Sequence, residues 1–322
     1  MAKYLITGGA GFIGSHLVEH LLKDNHDVVV LDDLSTGRMS NLSAVASHPK
    51  LRLLHDTVAS TRTVDHAVAE CDAVFHLASA VGVKLIVDQP VQTIRTIIGG
   101  TEAVLDSAYR YNRPVLITSS SEVYGKGTRV PFDETDDVVM GATSHTRWCY
   151  AYAKGIDEFM GLAYHRQFGL PVTLVRLFNT VGPRQVGMYG MVLPRFVEAA
   201  LTGDLLQVYG DGSQSRCFCH VSDVVSALVR LTQTPGAVRQ VFNLGADEEV
   251  TIQALAERVI KLTGSTSRIA YMSYEKAYGQ NFDDLPRRVP KLDRIKAIIG
   301  FAPKWTLDQI IESVIAEHRM SR

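Results

Sequence analysis

The segment Tyr4-Leu5-Ile6-Thr7-Gly8-Gly9-Ala10-Gly11-Phe12-Ile13-Gly14 decides the fold. A short apolar run enters glycines spaced Gly-x-x-Gly-x-x-Gly at 8, 11 and 14, and a helical pattern from Phe12 to Leu22 leaves them. A strand running through glycines into a helix is the layout of a dinucleotide site. Small residues permit a tight turn and a close backbone approach to a pyrophosphate, and the helix start offers free N–H groups and a positive dipole end. The spacing departs slightly from Gly-x-Gly-x-x-Gly, with the same physical requirement. A glycine turn that holds no ligand is the alternative, and the position between first strand and first helix argues against it.

Working outward, Val28 to Leu31, Leu51 to Leu54, Ala73 to His76 and Val115 to Thr118 read as buried strands, and Val91 to Tyr109 as a helix. A second long helix is predicted over Tyr150 to Phe168, then a strand over Val172 to Leu177. This α/β alternation predicts a Rossmann-type doubly wound parallel sheet. After Asn179, Gly182-Pro183-Arg184, Tyr209 to Gly212 and Pro286 to Pro290 punctuate shorter elements, which predicts a smaller C-terminal α/β substrate-binding lobe. Val221 to Leu231 and Val241 to Leu244 read as returning to the large sheet. The predicted division is 1–178 with 217–246 as the NAD-binding domain, and 179–216 with 247–322 as the second lobe.

The 322 residues are 46% hydrophobic and 21% charged, with a formal net charge of -1. That balance gives no basis for expecting a nucleic-acid or membrane partner. The apolar runs are too short to span a bilayer, and the N-terminus has no signal-peptide pattern, so a cytosolic protein is expected. Cys71, Cys149, Cys217 and Cys219 make no disulfide framework. Cys217-x-Cys219 has no second pair at zinc-site spacing, so no metal is expected.

Gly8, Gly11, Phe12, Ile13 and Gly14 are the expected pyrophosphate contacts. The second strand ends in Asp32-Asp33. A carboxylate there accepts hydrogen bonds from ribose hydroxyls and repels a 2′-phosphate, so NAD is the expected cofactor, with Asp32 preferred over Asp33. Asp56, after the third strand, is within reach of the adenine edge.

Tyr150 and Lys154 are four residues apart and share one helix face. A tyrosine of pKa about 10 is a poor base at neutral pH. The Lys154 ammonium, with a positively charged nicotinamide, is expected to lower it. Tyr152 points elsewhere. Ser119-Ser120-Ser121-Glu122 ends the fifth strand, where open α/β sheets deliver side chains to the ligand crevice.

These motifs resemble the extended short-chain dehydrogenase/reductase family that acts on nucleotide sugars, over nearly the whole chain. Leu177 to Arg184 is similar to that family's Phe-Asn-x-x-Gly stretch, and Tyr209 to Arg216 to its Gly-Asp-Gly-x-Gln-x-Arg stretch. The resemblance implies that Asn179 and Arg216 hold a UDP group. It implies that Tyr150 takes the C4 hydroxyl proton of a sugar, with Ser120 sharing the bond. It also implies a homodimer through a four-helix bundle.

Ser121-Glu122 stands where the 4,6-dehydratases of that family carry Asp-Glu, which disfavours dehydration. UDP-glucuronate decarboxylases carry Ser-Glu there. Arg147-Trp148-Cys149-Tyr150 and the stretch from Tyr278 to Asp284, followed by Arg287-Arg288-Val289-Pro290, resemble the amino-arabinose-pathway decarboxylase and UDP-apiose synthase. That maps Arg288 onto the active site. Glu122 handles the proton at C5 if burial raises its pKa. His76 to Lys84 is closer to UDP-galactose 4-epimerases, with Lys84 on the substrate side. The preferred reading is therefore a UDP-glucuronate decarboxylase working through a 4-keto sugar. A UDP-hexose 4-epimerase is the alternative, and a non-catalytic NAD-binding regulator a third.

Overall fold

A computed structural model describes residues 1–80, 82–187, 191–278 and 285–320, without the side chains of 83–85 and 278. Among these residues the main sheet has seven parallel strands. Their order is Val241–Leu244, Val172–Leu177, Val115–Ser120, Ala73–His76, Lys3–Thr7, Asp27–Asp32 and Leu51–His55. The chain order reverses between Lys3–Thr7 and Ala73–His76, and a crevice opens at the carboxyl ends of strands at such a point. Register keeps those ends level: Thr7 faces both Leu31 and His76, and Ser120 faces Leu177.

Alternation along the strands sends side chains to two cores. Tyr4, Ile6, Val28 and Val30 join the helices Phe12–Lys23 and Val221–Thr232 on one face. Leu5, Val29, Leu31 and Val74 join Thr61–Ala69 and Gly100–Tyr111 on the other. A third core packs Val192–Thr202, Ile252–Thr263 and Leu307–Met320 beside three small sheets. This is the predicted Rossmann-type architecture with a smaller α/β lobe. The helix Asp293–Ile299, assigned by sequence to the smaller lobe, instead buries Ile295 and Ile299 in the first core.

Other details differ from the sequence reading. Leu51–His55 is a sheet edge with Arg52 and His55 exposed, not a buried strand. The helix Thr61–Ala69 was not anticipated. The predicted helix from Val91 to Tyr109 runs as Pro90–Ile94, a π turn over Arg95–Gly99, and Gly100–Tyr111. The π turn lets Gly100 approach the loop after the third strand, where an added Cβ would meet Val58 Cγ2 at 2.6 Å. No helix of the described residues is long and apolar enough to cross a membrane.

Candidate active site

A cavity of about 490 Å³ lies over the switch point and runs to the smaller lobe. Gly8, Gly11, Phe12, Ile13, Gly14 and Asp32 line one end, Ser120, Tyr150 and Lys154 the middle, and Asn179, Arg216 and Arg288 the lobe side.

The glycines have separate jobs. Gly8 has φ +73°, and a Cβ there would lie 2.9 Å from Ala78 N. At Gly9 it would meet Val30 at 2.7 Å, and at Gly14 it would lie 2.1 Å from Gly8 O. At Gly11 the one non-adjacent neighbour within 4 Å among the described residues is Gly8 O, at 3.1 Å. Gly11 caps the first helix with no side-chain hydrogen bond, so the N–H groups of the first turn face the cavity uncapped by any side chain. That cradle fits a dinucleotide pyrophosphate.

Asp32 is buried, its Oδ2 accepting from Ala10 N and its Oδ1 from Leu34 N, both at 2.8 Å. Burial raises its pKa, opposed by those two N–H groups. Its carboxylate braces the glycine turn and faces the cavity. Asp33 also lines the cavity, with Oδ1 taking the Ser35 N–H at 2.9 Å. Asp56 lines the cavity too, its oxygens engaged by Thr57 N–H and the Thr63 hydroxyl.

Ser120 ends its strand in extended backbone and caps the next turn, its Oγ accepting from Glu122 N at 3.2 Å. The Tyr150 hydroxyl is hydrogen-bonded to Ser120, and the Tyr150 side chain packs with Ile86, Ile97 and Ala153. Lys154 Nζ donates to Thr118 O at 3.0 Å and to Asp157 Oδ2 at 3.1 Å. Burial raises the Tyr150 pKa, and Lys154 and Ser120 offset this only in part. The lowering expected from Lys154 is thus outweighed by desolvation within the protein itself. Tyr152 is turned away, donating to Gly141 O.

Glu122 requires a second correction. Arg147 Nη2 lies 3.0 Å from its Oε2, and Arg288 Nη1 pairs with its Oε1. Burial raises the Glu122 pKa, but the Arg288 and Arg147 guanidiniums overcome it and hold the carboxyl at about 2. It is an ionised anchor, not the raised-pKa acid expected. Ser121, buried beside it, lines the cavity.

On the lobe side Arg288 and Arg216 are direct neighbours on paired strands. Both are buried and both line the cavity. Arg216 Nη1 donates to Ser215 O at 2.7 Å, and Asn179 Nδ2 to Cys217 O at 2.9 Å. Like charges brought together in this way suit an anionic ligand. Lys84 falls on the helix Val83–Asp88. Its side chain, that of Tyr278, and the whole stretch from Gly279 to Asp284 lie outside the described residues.

Sequence reasoning did not assign Arg147, Arg195 or Asp157 to the site. Arg147 and Arg195 line the cavity, Arg147 over the Trp148 ring at 5.0 Å and Arg195 over Tyr209 at 4.5 Å. The Arg147-Trp148 pair beside Tyr150 was a usable signal; Arg195 had none.

Residues 4–245 match the model of a family described as "NAD dependent epimerase/dehydratase family". The chain is 40% identical over 314 residues to UDP-N-acetyl-alpha-D-glucosaminuronate decarboxylase of Bacillus cytotoxicus, covering 97% of this chain and 96% of that protein. It is 35% identical to UDP-glucuronic acid decarboxylase 1 of Xenopus tropicalis, covering 97% and 71%. Among solved structures, UDP-glucose 4-epimerase of Thermotoga maritima with UDP-glucose superposes with a TM-score of 0.90 at 26% identity, covering 99% of each chain.

Proposed function

The chain belongs to the NAD-dependent epimerase/dehydratase family, and from that premise we propose that it oxidises a UDP-linked uronic acid at C4 and decarboxylates it, with UDP-glucuronate as the substrate. NAD is the cofactor of the family. The observation that carries the reading is the Arg147–Glu122–Arg288 cluster beside Ser120 and Tyr150. Two guanidiniums there share one carboxylate and offer a cationic seat for a second, the sugar's own. The N-acetylated uronate named for the Bacillus relative has the same carboxylate.

When bound, NAD supplies the hydride acceptor for C4. Tyr150 takes the C4 hydroxyl proton, Ser120 holds that oxygen, and Lys154 stabilises the phenolate. The 4-ketone makes the sugar a β-keto acid. Loss of carbon dioxide leaves an enolate, whose charge the Ser120 and Tyr150 hydroxyls stabilise; a solvent proton at C5 and the hydride returned to C4, with Tyr150 giving its proton back to the C4 oxygen, then yield the UDP-pentose. Glu122 stays ionised and orients Arg147 and Arg288. Asn179 and Arg216 hold the UDP part, on the lobe of 179–216 and 247–322. Gly8 to Gly14 and Asp32 hold the dinucleotide on the domain of 1–178 and 217–246, with Asp56 at the adenine edge. The enzyme works in the cytosol as a homodimer.

Nuclear magnetic resonance of products from UDP-glucuronate and NAD tests this. The expected outcome is a UDP-pentose with one carbon dioxide per sugar. Absence of carbon dioxide, with interconversion of UDP-glucose and UDP-galactose, establishes the 4-epimerase instead. The stretch from His76 to Lys84 and the Thermotoga structural relative favour that second reading.

A further inference from the structure

An ammonium has three N–H donors. Lys154 directs one to Thr118 O on the fifth strand and one to Asp157 Oδ2, three residues further along its own helix. Asp157 is fully buried. Its other oxygen, Oδ1, is buried with no hydrogen-bond partner among the described residues. Thr101 Oγ1 lies 3.1 Å from His76 Nε2, and His76 Nδ1 lies 2.8 Å from Thr7 Oγ1. A buried polar line therefore runs from Thr101, on the helix Gly100–Tyr111, to the strand that carries the glycine turn. A buried carboxylate is costly unless paired, and an apolar side chain commonly serves packing as well or better. Packing alone gives no reason for a charge at 157.

We propose that Asp157 is a positioning residue for the Tyr150–Lys154 pair: with Thr118 O it fixes Lys154 so that the third donor faces the cavity, and its charge tempers the pull of the ammonium on the Tyr150 phenol. This rests on the reading of Tyr150 as the base. The charged and titratable groups around the pair are few. Lys154 favours the phenolate, and Glu122 and Asp157 oppose it. His76, on the fourth strand, is kept neutral by burial and by Lys154, with a pKa of about 3. Glu158, next to Asp157, is engaged by Arg176 at 2.7 Å. Removing the charge at 157 while keeping an oxygen there must then move the phenol toward ionisation at lower pH.

The test measures kcat and kcat/KM against pH with UDP-glucuronate and NAD for wild type, D157N, D157A and Y150F, with circular dichroism as the folding check. D157N keeps an acceptor for Lys154 without charge. Its plateau rate stays close to wild type, and the acid limb of kcat/KM moves to lower pH. D157A removes the acceptor, and kcat falls about tenfold or more as the lysine loses its fixed orientation. An unmoved acid limb in D157N, or a wild-type plateau in D157A, overturns the proposal. If D157A does not fold, the D157N limb decides alone. Turnover retained in Y150F sinks the base assignment itself, a result distinct from any failure at 157.

Discussion

Arg147 donates to Glu122 across 3.0 Å, joining the residue that caps the long helix Trp148–Phe168 to the turn that follows the strand Val115–Ser120. Arg288 meets the other oxygen from the smaller lobe's edge strand. One carboxylate thus fastens three separate parts of the cavity wall.

The first prediction follows from that carboxylate's acidity. A folded pKa of about 2 against an ordinary 4.5 gives stability that is fully present above about 4.5 and lost as pH falls through about 2. At about 1.4 kcal/mol per unit the effect is on the order of 3 kcal/mol. E122Q is expected to unfold at lower urea than wild type at pH 7, with the gap closing between pH 5 and pH 2. A gap independent of pH refutes the charge assignment.

Tyr150→Phe keeps the ring and removes the hydroxyl. Turnover is expected to fall about 10²-fold or more, and the dissociation constant for NAD to change little. Near-normal turnover excludes Tyr150 as base.

Cofactor choice rests on Asp32. A 2′-phosphate would meet its buried carboxylate at close range, so NAD is expected to bind at least about tenfold tighter than NADP at fixed salt. Equal affinities remove Asp32 from that role. Because Asp32 also holds Ala10 N, D32A is expected to weaken NAD binding as well.

The helices Pro90–Ile94 and Trp148–Phe168 leave Val91 61% and Phe159 73% exposed, with Ile94 and Ile156 also open to solvent. Apolar groups of this size in one region mark an association face. Light scattering at micromolar concentration is expected to give twice the 35.4 kDa chain mass, and F159D to give a monomer. A wild-type monomer rejects the dimer.

The strand ends, the glycine turn and the Tyr150/Lys154 spacing were legible because each is local: a period, a turn or a helix face. What escaped depends on residues distant in sequence. The acidity of Glu122 is set by Arg147 and Arg288, and no local pattern announces that both will converge on it. Burial of Tyr150 by Ile86 and Ile97 reversed the sign expected from Lys154 alone. The slip at Arg95–Gly99 leaves apolar spacing that still reads as a regular helix. Leu51–His55 reads as buried because its leucines do not reveal that, among the described residues, it is the edge of the sheet.

Gly8, Gly9 and Gly14 are demanded by contacts of 2.9, 2.7 and 2.1 Å with Ala78, Val30 and Gly8 O, whereas the contact at Gly11 is the mildest of the four, 3.1 Å to Gly8 O. Natural selection therefore acts on them for different reasons. A descendant that abandoned its cofactor while keeping its fold would retain Gly8, Gly9 and Gly14 and drift first at position 11. In a lineage of this protein, residue 11 is the marker that separates a working dinucleotide site from an inherited scaffold.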